Sequence, residues 1–376
     1  MPRGKIALPH RLEELAILDP TGKVDKALEP RLSDEELRRL FAGLLRSRMF
    51  DERLLKLQRQ GRIGTYGPSF GQEAASLGPA SRLKKDDWLV PSFRETAAML
   101  WRGWPMERIM LWWAGHEIGS TPPEGVNDTP IAVPVGSQVQ TAAGVAFGAK
   151  YKQDGTVCVT FIGDGATAEG DFHEAMNFAG VFKLPLICII QNNQWAISLP
   201  RYKTSAGPTL AQRALAYGID GMQVDGNDIL AMAVASQEAI DKARAGGGPT
   251  LIEAVTYRMA MHTTADDPKK YRSDAEVEPW KKRDPILRMA TYLKERGTLD
   301  DSGRATIETE ITEEIRVAVE RAEAYKPDPL DMFRYMYREM PPHLTAQLNE
   351  CRKFLPPAAR PEAPGGAGIP AGAARS

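Results

Sequence analysis

The sequence predicts an α/β fold, a parallel sheet covered by helices on both faces, with an N-terminal arm before it and a helical region after it. Two observations predict it. Apolar residues occupy consecutive positions in "VCVTFIG", "LPLICIIQ" and "TLIEAVTYR", and helical stretches separate these runs, the pattern of strands buried on both sides. In addition, polar clusters follow the runs: Asp164 after the first, Asn192 and Asn193 after the second, His262 beyond the last. Ligands of open α/β sheets gather beyond the carboxyl ends of strands, so three clusters are placed at one edge.

The elements follow in order. Residues 1–32 read as an irregular arm with turn signals in "LDPTGK". A helix starts after Ser33, where Ser33 and Glu36 form a capping box, and Leu37, Leu40, Phe41, Leu44 and Leu45 recur on one face. From Asp87 a strand and two helices are expected, the second in the tryptophan-rich "WRGWPMERIMLWWAG". Without an accompanying basic stripe, this segment reads as a core or interface helix rather than a base-stacking surface. The Pro- and Gly-rich "STPPEGVNDTP" leads to the helix "GSQVQTAAGVAFGAKY", whose small residues suit close packing. The strand "VCVTFIG", a helix from about Asp171 to Phe182, the strand "LPLICIIQ", a short strand near "GMQVDG", a helix to Arg244 and the strand "TLIEAVTYR" complete the sheet region. Residues 33–348 form the main domain, helical and charged from about 279, and residues 349–376 read as a disordered Pro/Gly/Ala-rich tail.

Composition narrows the function. In 376 residues, 48 basic and 49 acidic side chains nearly cancel, so no bulk charge points to nucleic acid or to a membrane surface. Small molecules and proteins are the expected partners. Cys158, Cys188 and Cys351 form no C-x-x-C pair, and the first two read as core thiols. The longest apolar run, "LPLICII", is too short to cross a bilayer, and the start of the chain shows no apolar signal region. The expected location is cytoplasmic.

The central motif is "GDGATAEGDF". Glycines at a strand-to-helix turn let a phosphate approach backbone N–H groups, which an aspartate in the same place opposes unless a cation intervenes. Twenty-six residues separate Gly165 from Asn192, so Asp164 and Asn193 come to neighbouring strand ends. A carboxylate and an amide oxygen are hard ligands suited to Mg²⁺, which completes its octahedron with water and substrate phosphate. Two rival readings are weaker. "GDGATA" satisfies the dinucleotide pattern G-x-G-x-x-A, yet "QNNQ" stands where a ribose-binding acid belongs. "GPSFG", Gly67 to Gly71, satisfies the serine-hydrolase elbow G-x-S-x-G, yet no apolar strand precedes it and Pro68 adjoins the supposed nucleophile.

The stretch "GDGATAEGDFHEAMNFAGVFKLPLICIIQNNQWAIS" resembles the thiamine-diphosphate motif in alpha subunits of the decarboxylating component of 2-oxo acid dehydrogenase complexes. So do "RQGRIGTYGPSFGQEA", "VPSFRE", "VDGND", "GPTLIEAVTYR" and "HTTADDPKKYRS", and the resemblance runs from about Leu32 to His343. It implies a thiamine-diphosphate-binding fold with thiamine diphosphate and Mg²⁺ as cofactors. Asp164, Asn193 and the main-chain oxygen of Trp195 would bind the metal, with tyrosine commoner at the last position. Gly165 and Ala166 would touch the diphosphate, and Arg94 would pair with it. Phe93 replaces a tyrosine frequent beside that arginine, Val133 and Val135 match positions flanking the cofactor rings, and His262 matches a catalytic loop histidine near the reacting centre. The implied partners are a beta subunit, in an α2β2 heterotetramer, and a lipoyl acyltransferase core. The implied reaction is oxidative decarboxylation of a 2-oxo acid with reductive acylation of the lipoyl group. "GHEIGSTPPEGVND" is closer to pyruvate dehydrogenase alpha subunits, while "YREMPPHLTAQ" is similar to branched-chain enzymes; acetoin dehydrogenases belong to the same family. Pyruvate is the favoured substrate. The segment from His262 to Ser273, polar and without apolar periodicity, is expected to be mobile until ligand binds.

Overall fold

A computed structural model describes residues 9–334 and 336–355. Among them is one seven-stranded sheet in which every pairing is parallel. Its strands are β1 (Leu12–Leu15), β2 (Trp88–Val90), β3 (Asn127–Asp128), β4 (Cys158–Gly163), β5 (Leu186–Asn192), β8 (Asp220–Asp225) and β9 (Thr250–Val255), in the spatial order β1-β8-β9-β5-β4-β2-β3. Two short strands outside it, β6 (Trp195–Ala196) and β7 (Leu199–Pro200), form an antiparallel hairpin.

The consecutive apolar residues of β4 and β5 serve two cores. Val159, Phe161, Ile187 and Ile189 point to the side packed by the helices Asp34–Arg59, Glu73–Ala80 and Ile229–Arg244. Cys158, Ile162, Leu186, Cys188 and Ile190 point to the other side, under the helices Ser137–Lys152 and Gly170–Val181. Both faces are therefore dry, and each such Ile or Phe stabilises the fold by about 1.5–3 kcal/mol. The two strand cysteines are core thiols, fully buried and free.

The long first helix starts at Ser33 with both capping-box bonds formed, and Leu37, Leu40, Phe41, Leu44 and Leu45 are buried. The tryptophan-rich segment packs inward: Trp104 is fully buried, and its Nε1 donates to Asp128 Oδ2 (2.9 Å). In one respect the arm departs from the irregular reading. Leu12–Leu15 pairs with β8 in parallel, and the buried Asp228 carboxylate accepts from Ile17 N (2.7 Å) and Leu18 N (2.6 Å). Four residues with little burial carried no apolar alternation to announce this edge strand.

The described chain forms two compact units, one through Glu323 and one from Ala324. In the second, the helix Pro342–Phe354 continues six residues past the boundary placed at 348; the rest of the predicted tail, from 356, lies outside the described residues. No helix among the described residues is long and apolar enough to cross a membrane.

Candidate active site

The carboxyl ends of β2, β4 and β5 open onto a cavity of about 290 Å³. The β4–β5 register, which pairs Gly163 with Gln191, decides what enters it. Asp164 and Asn193 leave the sheet next to each other, and both line the cavity with Phe93, Arg94, Val135, Gly165, Ala166, Trp195 and His262. Of the cofactor-site residues implied by the resemblance, Val133 alone is not part of that wall and is 52% exposed; Asn192, from the same strand end as Asn193, lies outside it too and donates to Glu253 Oε1 (2.6 Å).

Asp164 is buried, and its Oδ2 has no hydrogen-bond partner. Burial pushes its pKa up to about 7, against the pull of nearby backbone N–H groups and of Arg258. Asn193 Nδ2 donates to Gln72 Oε1 (2.9 Å), which sets the side-chain oxygen on the opposite side, where Trp195 N reaches it at 3.3 Å. The Trp195 ring is pinned from behind, its Nε1 donating to Tyr257 Oη (3.2 Å) and Glu276 Oε1 (3.1 Å). Three oxygens, from Asp164, Asn193 and the Trp195 main chain, are thereby held on one loop system by groups outside it. Among the described residues no cluster of three or more His, Cys, Asp or Glu could hold a metal, so a cation here depends on amide and main-chain oxygens.

Gly165 has a steric reason. A Cβ at that position would lie 2.5 Å from Ala196 Cβ, so only glycine lets the β4 turn pass beneath the β6–β7 hairpin. Ile197 lines the cavity from that hairpin with φ +56°, an uncommon conformation for a β-branched residue that costs about 1–3 kcal/mol.

Two buried guanidinium groups lie near the carboxylate, Arg94 in the cavity wall and Arg258 close enough for its charge to act on Asp164. Arg94 donates to Pro68 O (2.5 Å) and His262 O (3.0 Å). Arg258, fully buried, donates to Ile197 O (2.6 Å), Tyr271 Oη (2.7 Å) and Trp195 O (3.3 Å). None of these partners is a carboxylate. Burial and the neighbouring Arg258 pull Arg94 down to about 10, and burial together with both arginines holds His262 at about 4. At neutral pH the imidazole is neutral beside two cations. Its ring meets Phe93 edge to face, with centroids 6.4 Å apart.

The segment after His262, expected from its lack of apolar periodicity to be mobile until ligand binds, carries a set of polar bonds. Asp266 Oδ2 accepts from His262 N (2.8 Å) and Tyr271 Oη (2.5 Å), Tyr66 O accepts from Thr264 N (2.8 Å), and Arg272 caps the carbonyls of Arg258, Met259 and Ala260. Polar bonds hold it where apolar burial does not.

Sequence reasoning missed Gln72, Glu95, Gln191 and Arg258. Glu95, buried with its pKa pushed up to about 7 by burial, accepts from Gln191 Nε2 (2.9 Å) in the cavity wall. A charged pair at a strand end, "FRE", was the available signal. The elbow reading of "GPSFG" fails here: no strand precedes it, and Ser69 is buried with an unpartnered hydroxyl. The loop serves instead to bring Gln72 to Asn193, with Gly71 at φ +86° and its carbonyl bound by Thr256 Oγ1 (2.9 Å).

The family described as "Dehydrogenase E1 component" matches residues 44–330. The chain belongs to that family. Similar curated proteins include a "Pyruvate dehydrogenase E1 component subunit alpha" of Acholeplasma laidlawii, 45% identical over 90% of this chain and 99% of its own length. Another of that description, from Staphylococcus aureus (strain Mu50 / ATCC 700699), is 41% identical over 90% of this chain and 92% of its own. A "3-methyl-2-oxobutanoate dehydrogenase subunit alpha" of Mycobacterium tuberculosis (strain CDC 1551 / Oshkosh) is 42% identical over 92% and 95%. The chain is thus an oxidoreductase of the 2-oxo acid dehydrogenase alpha-subunit type, a kind of E1 component that depends on thiamine diphosphate.

Proposed function

We propose that the cavity binds thiamine diphosphate through Mg²⁺ and that, with a beta subunit in an α2β2 assembly, the chain decarboxylates pyruvate and passes the acyl group to the lipoyl group of an acyltransferase core. The observation that carries this reading is the Asp164 Oδ2 left without a partner in a buried site, near arginines that have no carboxylate partners. An orphaned carboxylate calls for a cation, and two buried guanidiniums hydrogen-bonded only to neutral groups call for an anion. A metal diphosphate answers both, so the residues present fit the group.

Asp164, Asn193 and Trp195 O would hold the metal. Gly165 and Ala166 would meet the diphosphate, with Arg94 as a charge-assisted donor, and Val135 and Phe93 would flank the rings, with Val133 beyond them. The bound cofactor supplies the nucleophilic carbon and the electron sink for decarboxylation. The chain's own groups bind, orient and polarise. His262, kept neutral by burial and the arginines, can accept or donate a proton at the reacting centre. Glu95, the one other carboxyl in the buried part of the wall, is bound to Gln191, and the activating carboxylate for the aminopyrimidine is assigned to the beta subunit. The working location is the cytoplasm. A branched-chain 2-oxo acid is the second reading, favoured by the 42% identical relative of that description.

The test is co-purification with a beta chain, then decarboxylation assays with pyruvate, 2-oxoisovalerate and acetoin. Thiamine- and Mg²⁺-dependent turnover, highest with pyruvate, is expected from the complex and none from this chain alone. Robust turnover by the isolated chain would overturn the split site.

A further inference from the structure

The stretch from Tyr66 to Gln72 belongs to no helix or strand, yet three parts of the active site hang on it. Pro68 O accepts from Arg94 (2.5 Å), and Gln72 Oε1 accepts from Asn193 Nδ2 (2.9 Å). The Tyr66 backbone is bonded twice to Thr264, two residues beyond His262: Tyr66 N donates to Thr264 Oγ1 (3.0 Å), and Tyr66 O accepts from Thr264 N (2.8 Å). A segment with no helical or sheet ladder of its own takes its shape from the groups that bind it.

Those groups come from the helix Asp34–Arg59, behind the site. Asp51 is fully buried and is not part of the cavity wall. Its Oδ1 accepts from Tyr66 Oη and its Oδ2 from Ser69 N (2.9 Å), so one carboxyl grips the loop on both sides of Pro68. One turn earlier on the helix, Arg48 lies over the Phe70 ring, 5.0 Å from its centroid, and donates to Glu73 Oε1 (2.5 Å) just past the loop. Asp51 is a costly residue at this place. Phe50, Leu54 and Leu57 on the same helix are buried and apolar, and burial pushes the Asp51 carboxyl up to about 7. An apolar side chain would fill the space at less cost, but it could not bind Tyr66 and Ser69 together.

We infer that Asp51 is a positioning residue of the active site: through Tyr66 and Ser69 it fixes the loop that holds Arg94, Asn193 and the His262 segment. Its effect on cofactor affinity rests on the proposed cofactor reading, whereas its effect on the His262 segment is read without any ligand.

The complex co-purified with the beta chain carries the test. In Asp51→Ala both acceptors are gone. Without cofactor, trypsin should cut this variant at Lys269 and Lys270 roughly fivefold faster than wild type. The apparent Kd for thiamine diphosphate with Mg²⁺ should rise about tenfold, while kcat at saturating cofactor falls by less than about threefold, since saturation repopulates the ordered arrangement. Asp51→Asn can present its oxygen to Ser69 N and its amide to Tyr66 Oη, and should return both the cleavage rate and the Kd to within about twofold of wild type. Tyr66→Phe keeps the ring packed edge to face on Trp113 (4.8 Å) and removes one link; it should raise each by about threefold, and it decides the matter if Asp51→Ala does not fold. Leu44→Ala, equally buried two turns earlier on the same helix, should lower the melting temperature and move neither readout. Wild-type values in both Asp51→Ala and Tyr66→Phe, no recovery in Asp51→Asn, or the same losses in Leu44→Ala would each overturn the positioning role. A wild-type complex that binds no thiamine diphosphate would refute the cofactor reading instead, and the cleavage rates would then decide the role of Asp51 by themselves.

Discussion

Replacing Asp164 by asparagine should move two measurements in opposite directions. In the free chain the carboxyl is buried with Oδ2 unpartnered, and burial lifts its pKa from 3.8 to about 7. Between those values the unfolded chain has released a proton that the folded chain still holds, so folding stability falls as pH rises through that window. Above about pH 7 the loss is complete. At ~1.4 kcal/mol per pH unit across the gap, it amounts to at most about 4 kcal/mol. An amide carries no such penalty, so Asp164→Asn should stabilise the free chain by ~2–4 kcal/mol near pH 8 and by almost nothing near pH 4. Glu95 and Asp51, also lifted to about 7 by burial, cancel in the comparison with wild type. With ligand the sign reverses. The variant lacks the one formal charge among the proposed metal ligands, and Mg²⁺-dependent affinity for thiamine diphosphate should fall on the order of 100-fold, ~2.7 kcal/mol. Guanidinium unfolding of the free chain at both pH values gives the first quantity, and calorimetry of the complex with the beta chain gives the second. A variant no more stable than wild type near pH 8 would refute the orphaned-charge argument; unchanged cofactor affinity would refute the metal role.

Three further outcomes are expected. Limited trypsin digestion of the complex should cut the free protein at the exposed Lys269 and Lys270 and spare Arg272, whose guanidinium is bound to three carbonyls; thiamine diphosphate with Mg²⁺ should protect the lysines, and equal cleavage with and without it would disconnect the segment from the cofactor. His262, held at about 4 first by burial and then by Arg94 and Arg258, should stay neutral in an NMR titration down to about pH 5; because its unfolded value is near 6.5, it removes stability as pH falls from about 6.5 to about 4, and His262→Asn should lessen that acid sensitivity. Gly165→Ala should destabilise the fold by ~1–3 kcal/mol through its clash with Ala196, and a thermal melt matching wild type would show that the hairpin yields.

The sequence determined the strands and the chemistry they carry, because both follow local rules. Apolar runs on consecutive positions marked β4, β5 and β9, the Ser33–Glu36 box marked the first helix, and the "GDG" and "NN" strings named the acid and the amide at two strand ends. Family resemblance added Arg94 to His262, which the strand pattern already placed at the same edge, and the cavity brings both to its wall. Tertiary structure decided the rest, since it depends on which distant segments share a site. Leu12–Leu15 became a strand only because the edge of β8 was open to it. Gln72, 121 residues before Asn193, orients its amide; Arg258 ties the hairpin carbonyls to the loop of His262. Neither spacing nor periodicity encodes such pairings. The state of Asp164 was likewise undetermined, because a carboxylate's proton affinity is set by how much water and which cations surround it, and only the folded chain buries it without a partner.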